Sequence, residues 1–204
     1  MSVSNLDELR SIVVRSIDES SESLITAAKS VYAIPETGFN ERKTSSFVQK
    51  QLEELNLSVE TGIAITGLKS VIEGNDSGPT IAVIAELDAL RVPSHPGSDS
   101  NTGAAHACGH HIQIGALLGV ATALVTPAVK HSLSGNVVLI LTPAEEFIEI
   151  EHRLARRNND EIEFLSGKQE MIRLGAFDGI DMAMMIHASN SDGKGCFSVG
   201  GTTN

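Results

Sequence analysis

The chain has 204 residues, with 15 Lys and Arg against 26 Asp and Glu for a formal net charge of −11, and 41% of its residues are hydrophobic. That length and apolar content suit one folded domain, or two small ones, with a core of their own, and exclude a disordered chain. The acidic balance, with no basic cluster or aromatic stacking platform, argues against nucleic acid and anionic membranes as partners.

The opening MSVSNLDELR lacks the basic and apolar regions of a signal peptide, and no apolar run approaches the roughly 20 residues of a membrane span, so a cytoplasmic protein is expected. From Asn5 to about Ala33, apolar residues recur near a 3.6 period behind Asn5 or Asp7 as a cap, which predicts a long surface helix, either continuous or broken near Ser20. Pro35 and Gly38 punctuate, and Glu41 to Leu55 repeats the pattern through Phe47, Val48, Leu52 and Leu55. Short strands are expected around Ala64 and over Leu68 to Ile72, followed by the turn residues GNDSGP at 74 to 79.

Beyond Pro79 the texture changes. IAVIAEL at 81 to 87, NVVLILT at 136 to 142 and DMAMMIH at 181 to 187 are apolar at nearly every position, as strands buried on both faces are. Helical segments, Ile112 to Leu124 and the stretch from Glu145 to Leu174, separate them. The order β, α, β, α, β predicts a largely parallel sheet with right-handed crossovers. The charged run EIEHRLARRNNDEIE, long for a crossover, reads as an exposed helical insertion.

Each apolar run ends in polar residues: Glu86 and Asp88, then Glu145 and Glu146, then His187. Open parallel sheets bind ligands at that edge. Between the first two strands, NTGAAHACGHHIQIGALL carries His106, Cys108, His110 and His111 just before an apolar helix. A catalytic metal takes N, O and S donors from several elements and keeps positions open for water and substrate. Cys108 and His110 are two apart, so the backbone freedom of Gly109 is needed to turn both toward one site. Adjacent carboxylates in a helix diverge by about 100°. Glu145 and Glu146 can therefore divide the work, one as ligand and the other as general base. Asp88 then bridges metals or orients a His ligand. His95, His131 and His152 lie in polar or charged contexts and receive no role.

LDAL at 87 to 90, GAAHACGHHIQIGALLG at 103 to 119, TPAEE at 142 to 146 and the His187 strand resemble, in the same order, the zinc-peptidase-like amidohydrolases. These include aminoacylase, hippurate hydrolase, aminobenzoyl-glutamate hydrolase and the auxin-conjugate hydrolases. IPETGFNERKTSSFVQKQLEEL is similar to their N-terminal helical segment. The resemblance implies an α/β fold, a three-layer αβα zinc-peptidase-like catalytic domain with a largely parallel central sheet. It implies hydrolysis of the amide bond of N-acyl amino acids, aminobenzoyl-glutamate or dipeptide-like substrates with two divalent metal ions (Zn, Mn or Ni). Cys108, His110, Glu146 and His187 match the family's metal ligands, Glu145 its general base, and Asp88 its carboxylate beside the metals.

Three departures carry expectations of their own. His111 stands where the family has Asp, which bears on the surroundings of the ligands. The insertion before His187 resembles the subgroup acting on aminobenzoyl-glutamate or dipeptide-like substrates. Residues 1–204 match only the first part of the catalytic domain, truncated before the lid that brings dimer contacts and a further His, so poor activity of this form is expected, with a homodimer formed through the lid in longer members. Two rival readings remain: a non-catalytic metal-binding or partner-binding fragment, and a thiol-dependent enzyme built on Cys108, the latter weakened by the lack of a resolving cysteine nearby. Cys108 and Cys196 are too few for a disulfide framework.

Overall fold

The computed structural model describes residues 3–188; Cys196 lies outside them. The first helix, α1 (Val3–Tyr32), runs unbroken for 30 residues. It already includes Asn5 and Asp7, so neither caps it, and it passes Ser20 without interruption. The hydroxyls that might have opened it bond back into it: Ser11 donates to Asp7 O, Ser23 to Ser20 O, Thr26 to Glu22 O and Ser30 to Thr26 O. With those groups satisfied inside the helix and neither Gly nor Pro before Pro35, nothing ends it early.

Helix α2 (Arg42–Glu54) starts one residue inside the expected span. Its first N–H groups are not served by the preceding residue. The Glu36 carboxylate instead accepts from the backbone N–H of Lys43 and Thr44 and from the Thr44 hydroxyl, which places an anion at the positive end of the helix. Strands β1 (Val59–Ile63) and β2 (Gly67–Glu73) form a hairpin. Ala64, expected in a strand, lies in its turn, where Ala64 and Ile65 both have positive φ. β3 (Asp76–Glu86) begins inside the segment expected to be only a turn, with an irregular register between Asp76 and Thr80. A small ribbon follows, β4 (Leu90–Arg91) with β5 (Ala104–Ala105). Then come α3 (His110–Leu124), α4 (Pro127–Ser132) and β6 (Ser134–Thr142). Two short helices, α5 (Ile150–Asn158) and α6 (Gly167–Arg173), precede β7 (Met182–Met185).

The sheet has the order β1-β2-β6-β3-β7. β3 runs parallel to both β6 and β7, whereas β1 and β2 extend the sheet antiparallel. The part that carries the site is therefore parallel, as the three apolar runs require. Successive residues divide between two cores. Val83, Ala85, Leu139 and Leu141 pack with α1, α2 and α3 through Val31, Leu52, Ile114 and Leu117. Ala82, Val138 and Ile140 pack on the opposite face with Phe39, Ile162, Met171 and Ala176. This alternation, with helices covering both faces, is the three-layer arrangement. α1 crosses α3 closely because α3 offers glycines: a Cβ on Gly115 would lie 3.1 Å from Ala28 Cβ.

Two expectations about burial change. β7 is not covered on both faces: it is an edge strand, and Met182, Met184, Met185 and Ile186 are all exposed among the described residues. The 145 to 174 segment is not simply an exposed helix. It contains two short helices, and Arg153 and Glu170 within it are each 1% exposed. A run of charges identifies neither which residue turns inward nor what it finds there. Among the described residues, no helix is long and apolar enough to cross a membrane.

Candidate metal centre

The chain reverses direction across the sheet at β3. β6 is laid on one side of it and β7 on the other, so a crevice opens beyond the carboxyl end of β3. Into it come the Glu86 to Asp88 end of β3, the Cys108 to His110 start of α3, the Pro143 to Glu149 loop after β6 and the residues after β7. Gly109 caps α3 with φ 99°. That left-handed turn is open to glycine and strained for other residues, and it brings Cys108 and His110 to the same side.

Ligand atoms of Cys108, His110 and His187 lie within 4.8 Å of one another, as do those of Glu86, His110 and Glu145. Cys108 Sγ is 3.4 Å from His187 Nε2, and His187 turns its other ring nitrogen to the Ala188 carbonyl at 2.6 Å. His110 is fully buried. Its Nδ1 lies 2.8 Å from the Asp88 carbonyl and 3.3 Å from Asp88 Oδ1, which directs Nε2 into the crevice. Nε2 is 3.0 Å from Glu86 Oε2 and 3.9 Å from both Glu145 Oε2 and Glu146 Oε1.

Glu145 and Glu146 do not diverge as helical neighbours, because they stand in an irregular loop whose entry residue, Ala144, has φ 48°. This loop is held by its backbone. The Glu41 carboxylate accepts from Ala144 N–H at 2.8 Å, Asp88 Oδ2 accepts from Glu146 N–H at 2.9 Å, and Arg153 donates to the carbonyls of Ala144, Leu165 and Glu146. Asp88 thus sits behind the site and binds two of its members at once, His110 and the Glu146 backbone.

Among the described residues, His110 Nε2, Glu146 Oε1 and Asp88 Oδ1 are buried at the crevice without a hydrogen-bond partner. His110 Nε2 and Glu86 Oε2 are 3.0 Å apart, yet Nε2 remains without a hydrogen-bond partner among the described residues. Orphaned polar atoms are costly unless something else satisfies them, and a thiol, imidazoles and carboxylates together form a donor set for a divalent transition-metal ion. The residues present fit such an ion.

The electrostatics point the same way. Burial pushes the Cys108 thiol up to about 12, and Glu146, Glu145 and Glu86 push in the same direction. Burial alone would depress His110, but its contacts with Asp88 and Glu86 outweigh this and raise it to about 10. Burial and the neighbouring Glu86 raise Glu145 as well. Cys108, His110 and Glu145 hold their protons because negative charge is concentrated around them, and a bound cation reverses each of these tendencies. Glu86 departs from this, since against the burial that would raise it, contacts with His110 and Lys168 lower it to about 2. The same field opposes a free thiolate nucleophile, which needs positive surroundings.

Sequence reasoning placed Glu86 at the right strand end but gave it no role. The structure buries it with His110, Gln113 and Lys168 as partners. Its signal was the Glu-Leu-Asp spacing, which in a strand turns both acids to one face. Glu41, Arg153 and Lys168 were not singled out at all: Glu41 and Lys168 reach the site from distant segments, and Arg153, though within 12 residues of the carbonyls it bonds, lies in a charged run that does not show which residue turns inward. His106 and His111 belong to neither group of converging ligand atoms. Their rings are 5.5 Å apart, and His111 meets Tyr32 edge-on at 5.0 Å. Burial keeps His106 neutral, pushed down to about 3.

A parallel-centred three-layer fold with a convergent thiol, imidazole and carboxylate crevice defines the class of metal-dependent peptidases and amidohydrolases. The chain belongs to peptidase family M20/M25/M40, whose sequence pattern matches residues 82–200. It is 32% identical over 186 residues to thermostable carboxypeptidase 2 of Saccharolobus solfataricus, covering 89% of this chain and 43% of that protein. To N-acetyl-L-cysteine deacetylase of Bacillus subtilis it is 30% identical, covering 81% of this chain and 36% of that protein. The fold superimposes with a TM-score of 0.63 and 25% identity on the Bacillus subtilis protein YXEP, a dinuclear metal binding peptidase of the M20 family, covering 85% of this chain and 42% of that one. The chain spans less than half the length of each of these relatives.

Proposed function

We propose that residues 1–204 form the first part of the catalytic domain of a metal-dependent amidohydrolase. Its substrates are small amides of amino acids: N-acyl amino acids, aminobenzoyl-glutamate or dipeptide-like compounds. The observation that carries this reading is the meeting of Cys108, His110 and His187 in one crevice, with Glu145 and Glu146 across from them. The names of the relatives support the reaction class, since they include a carboxypeptidase and a deacetylase of an N-acetyl amino acid.

In this reading Cys108, His110, Glu146 and His187 hold divalent ions, with Zn, Mn or Ni as the candidates. A bound ion supplies Lewis-acid polarisation of the scissile carbonyl and acidification of water. Asp88 fixes the His110 ring and the Glu146 backbone together, so that both ligands present their lone pairs without searching. Glu145, which is about a third exposed and raised in pKa, has the access and the basicity of a general base. It takes a proton from the attacking water at its carboxylate and returns it to the leaving nitrogen. A reducing, cytoplasmic setting suits a cysteine used as a ligand.

The test separates ligand from base. Equilibrium dialysis against zinc or manganese should show a retained ion that Cys108→Ser and His110→Ala lose and Glu145→Gln keeps. In a longer form that carries the lid, hydrolysis of an N-acyl amino acid should fall about 10²- to 10⁴-fold in Glu145→Gln. Wild-type turnover in Glu145→Gln, or undiminished ion affinity in Cys108→Ser, would overturn the assignment.

A further inference from the structure

Lys168 stands at the start of α6, and the reaction as described makes no use of it. Its Nζ is paired with Glu86 Oε1 and lies 3.6 Å from Glu145 Oε1. The other oxygen of Glu145, Oε2, faces His110 Nε2 at 3.9 Å. The two oxygens of Glu145 are thus distinguished by their neighbours: one is turned to a cation that the chain itself carries, the other to the ligand side of the crevice.

Glu145 needs such a partner. It stands in an irregular loop, and its side chain is 35% exposed. Among the described residues the cationic groups that reach it are Lys168 and, when protonated, His110. Once His110 Nε2 is given over to an ion, the lysine alone remains. Lys168 is itself anchored. Glu86 is 1% exposed, and Gln113 grips it twice, accepting from the Glu86 backbone N–H at 3.0 Å and donating to Oε2 at 3.1 Å. A buried carboxylate fixed in this way needs its positive partner and holds it in place. The main chain under the lysine is fixed as well. Gly167 N–H donates to Ala144 O at 3.2 Å, and a Cβ on Gly167 would collide with Pro143 O, so α6 begins hard against the loop that carries Glu145.

We propose that Lys168 is the positioning residue of the general base: Gln113 and Glu86 fix its ammonium, and the ammonium holds Glu145 by Oε1 so that Oε2 meets the attacking water. The inference rests on the reading of Glu145 as the base and adds the means by which a partly exposed side chain is kept to one geometry. Lys168 acts through Glu145, not on the substrate or on an ion. A displacement of the base by about 1 Å is enough to cost up to 10²-fold in rate.

The experiment has two arms. In a longer form that carries the lid, Lys168→Met should lower kcat for an N-acyl amino acid about tenfold or more, while KM and the retained zinc or manganese stay within about twofold. Lys168→Arg, which restores the charge, should recover more than half of the lost kcat on a logarithmic scale. The second arm needs no turnover and no ion. On the 204-residue chain with a chelator present, acetylation by an amine-specific reagent should be several-fold slower at Lys168 than at the exposed Lys50. It should speed up several-fold at Lys168 in Glu86→Gln and change little in Glu145→Gln, since the anchor is Glu86. Unaltered kcat in Lys168→Met, a defect confined to KM or to ion retention, or equal labelling of Lys168 in wild type and Glu86→Gln would each overturn the proposal. Any of these beside the expected loss in Glu145→Gln sinks this inference alone, whereas wild-type turnover in Glu145→Gln overturns the reading of the base together with it.

Discussion

Glu41 offers a titration that reports on the loop carrying Glu145 and Glu146, and the perturbation is Glu41→Gln. The carboxylate is fully buried. Oε1 accepts from Ala144 N–H at 2.8 Å and Oε2 from the Thr66 hydroxyl at 2.6 Å. Burial raises its pKa from the ordinary 4.5 to about 7, the charge of Asp88 adds to this, and the hydrogen bonds from Thr66 and Ala144 oppose it. Because the folded protein holds this proton more tightly than the unfolded chain, its contribution is complete below pH 4.5 and is lost as pH rises through about 7. At about 1.4 kcal/mol per pH unit, the loss is about 3 kcal/mol. Glutamine carries no charge, its carbonyl can accept from Ala144, and its amide can donate to a Thr66 hydroxyl that turns to accept. The variant should match wild type within about 1 kcal/mol near pH 5 and be about 3 kcal/mol more stable at pH 8. Urea denaturation at pH 5, 6, 7 and 8 in the presence of a chelator measures this, and taking the difference between the two proteins cancels the other titrating groups. A difference that does not change with pH would refute the reasoning.

Two further perturbations test how the same loop is held. Arg153→Met leaves the carbonyls of Ala144, Leu165 and Glu146 without their donor and should cost about 2–4 kcal/mol in urea denaturation while lowering the retained ion. Arg153→Lys should recover less than half of the loss, because an ammonium cannot reach all three oxygens, and a cost below about 0.5 kcal/mol in the Met variant would contradict the role assigned to Arg153. Gly167→Ala forces a methyl group against the Pro143 carbonyl. Overpacking of this kind costs about 1–3 kcal/mol, so its thermal midpoint should fall by several degrees, and an unchanged midpoint would show that α6 is free to shift.

Periodicity and composition located the main elements because each signal is local. The 3.6 repeats of α1 and α2 and the apolar runs of β3 and β6 arise from faces that must be buried wherever the neighbours come from. The site was legible for a related reason: a parallel sheet gathers the ends of its strands, so the acids and histidines after each run point to one edge. The resemblance of the CGHH and TPAEE segments to known hydrolases then narrowed the chemistry. Among the described residues β7 lies at the edge of the sheet and is exposed, which its sequence does not reveal, because an apolar strand reads the same at the centre of a sheet and at its edge and only the pairing partners differ.

The sequence by itself determined the class of fold, the chemical types at the site and the glycine that lets Cys108 and His110 share a side, since these follow from short-range rules of backbone and side-chain pattern. Only the tertiary structure decided that Glu41, Arg153 and Lys168 attend the same crevice, that Glu86 is gripped there, and that His106 and His111 belong to an aromatic cluster instead. Most of those decisions depend on contacts between residues far apart in the chain, as between Glu41 and Ala144, Glu86 and Lys168, or Tyr32 and His111, while Arg153 is turned inward by packing on a segment within 12 residues of it. Whether a charge is buried and paired or left in water is settled by packing against segments that no local pattern names.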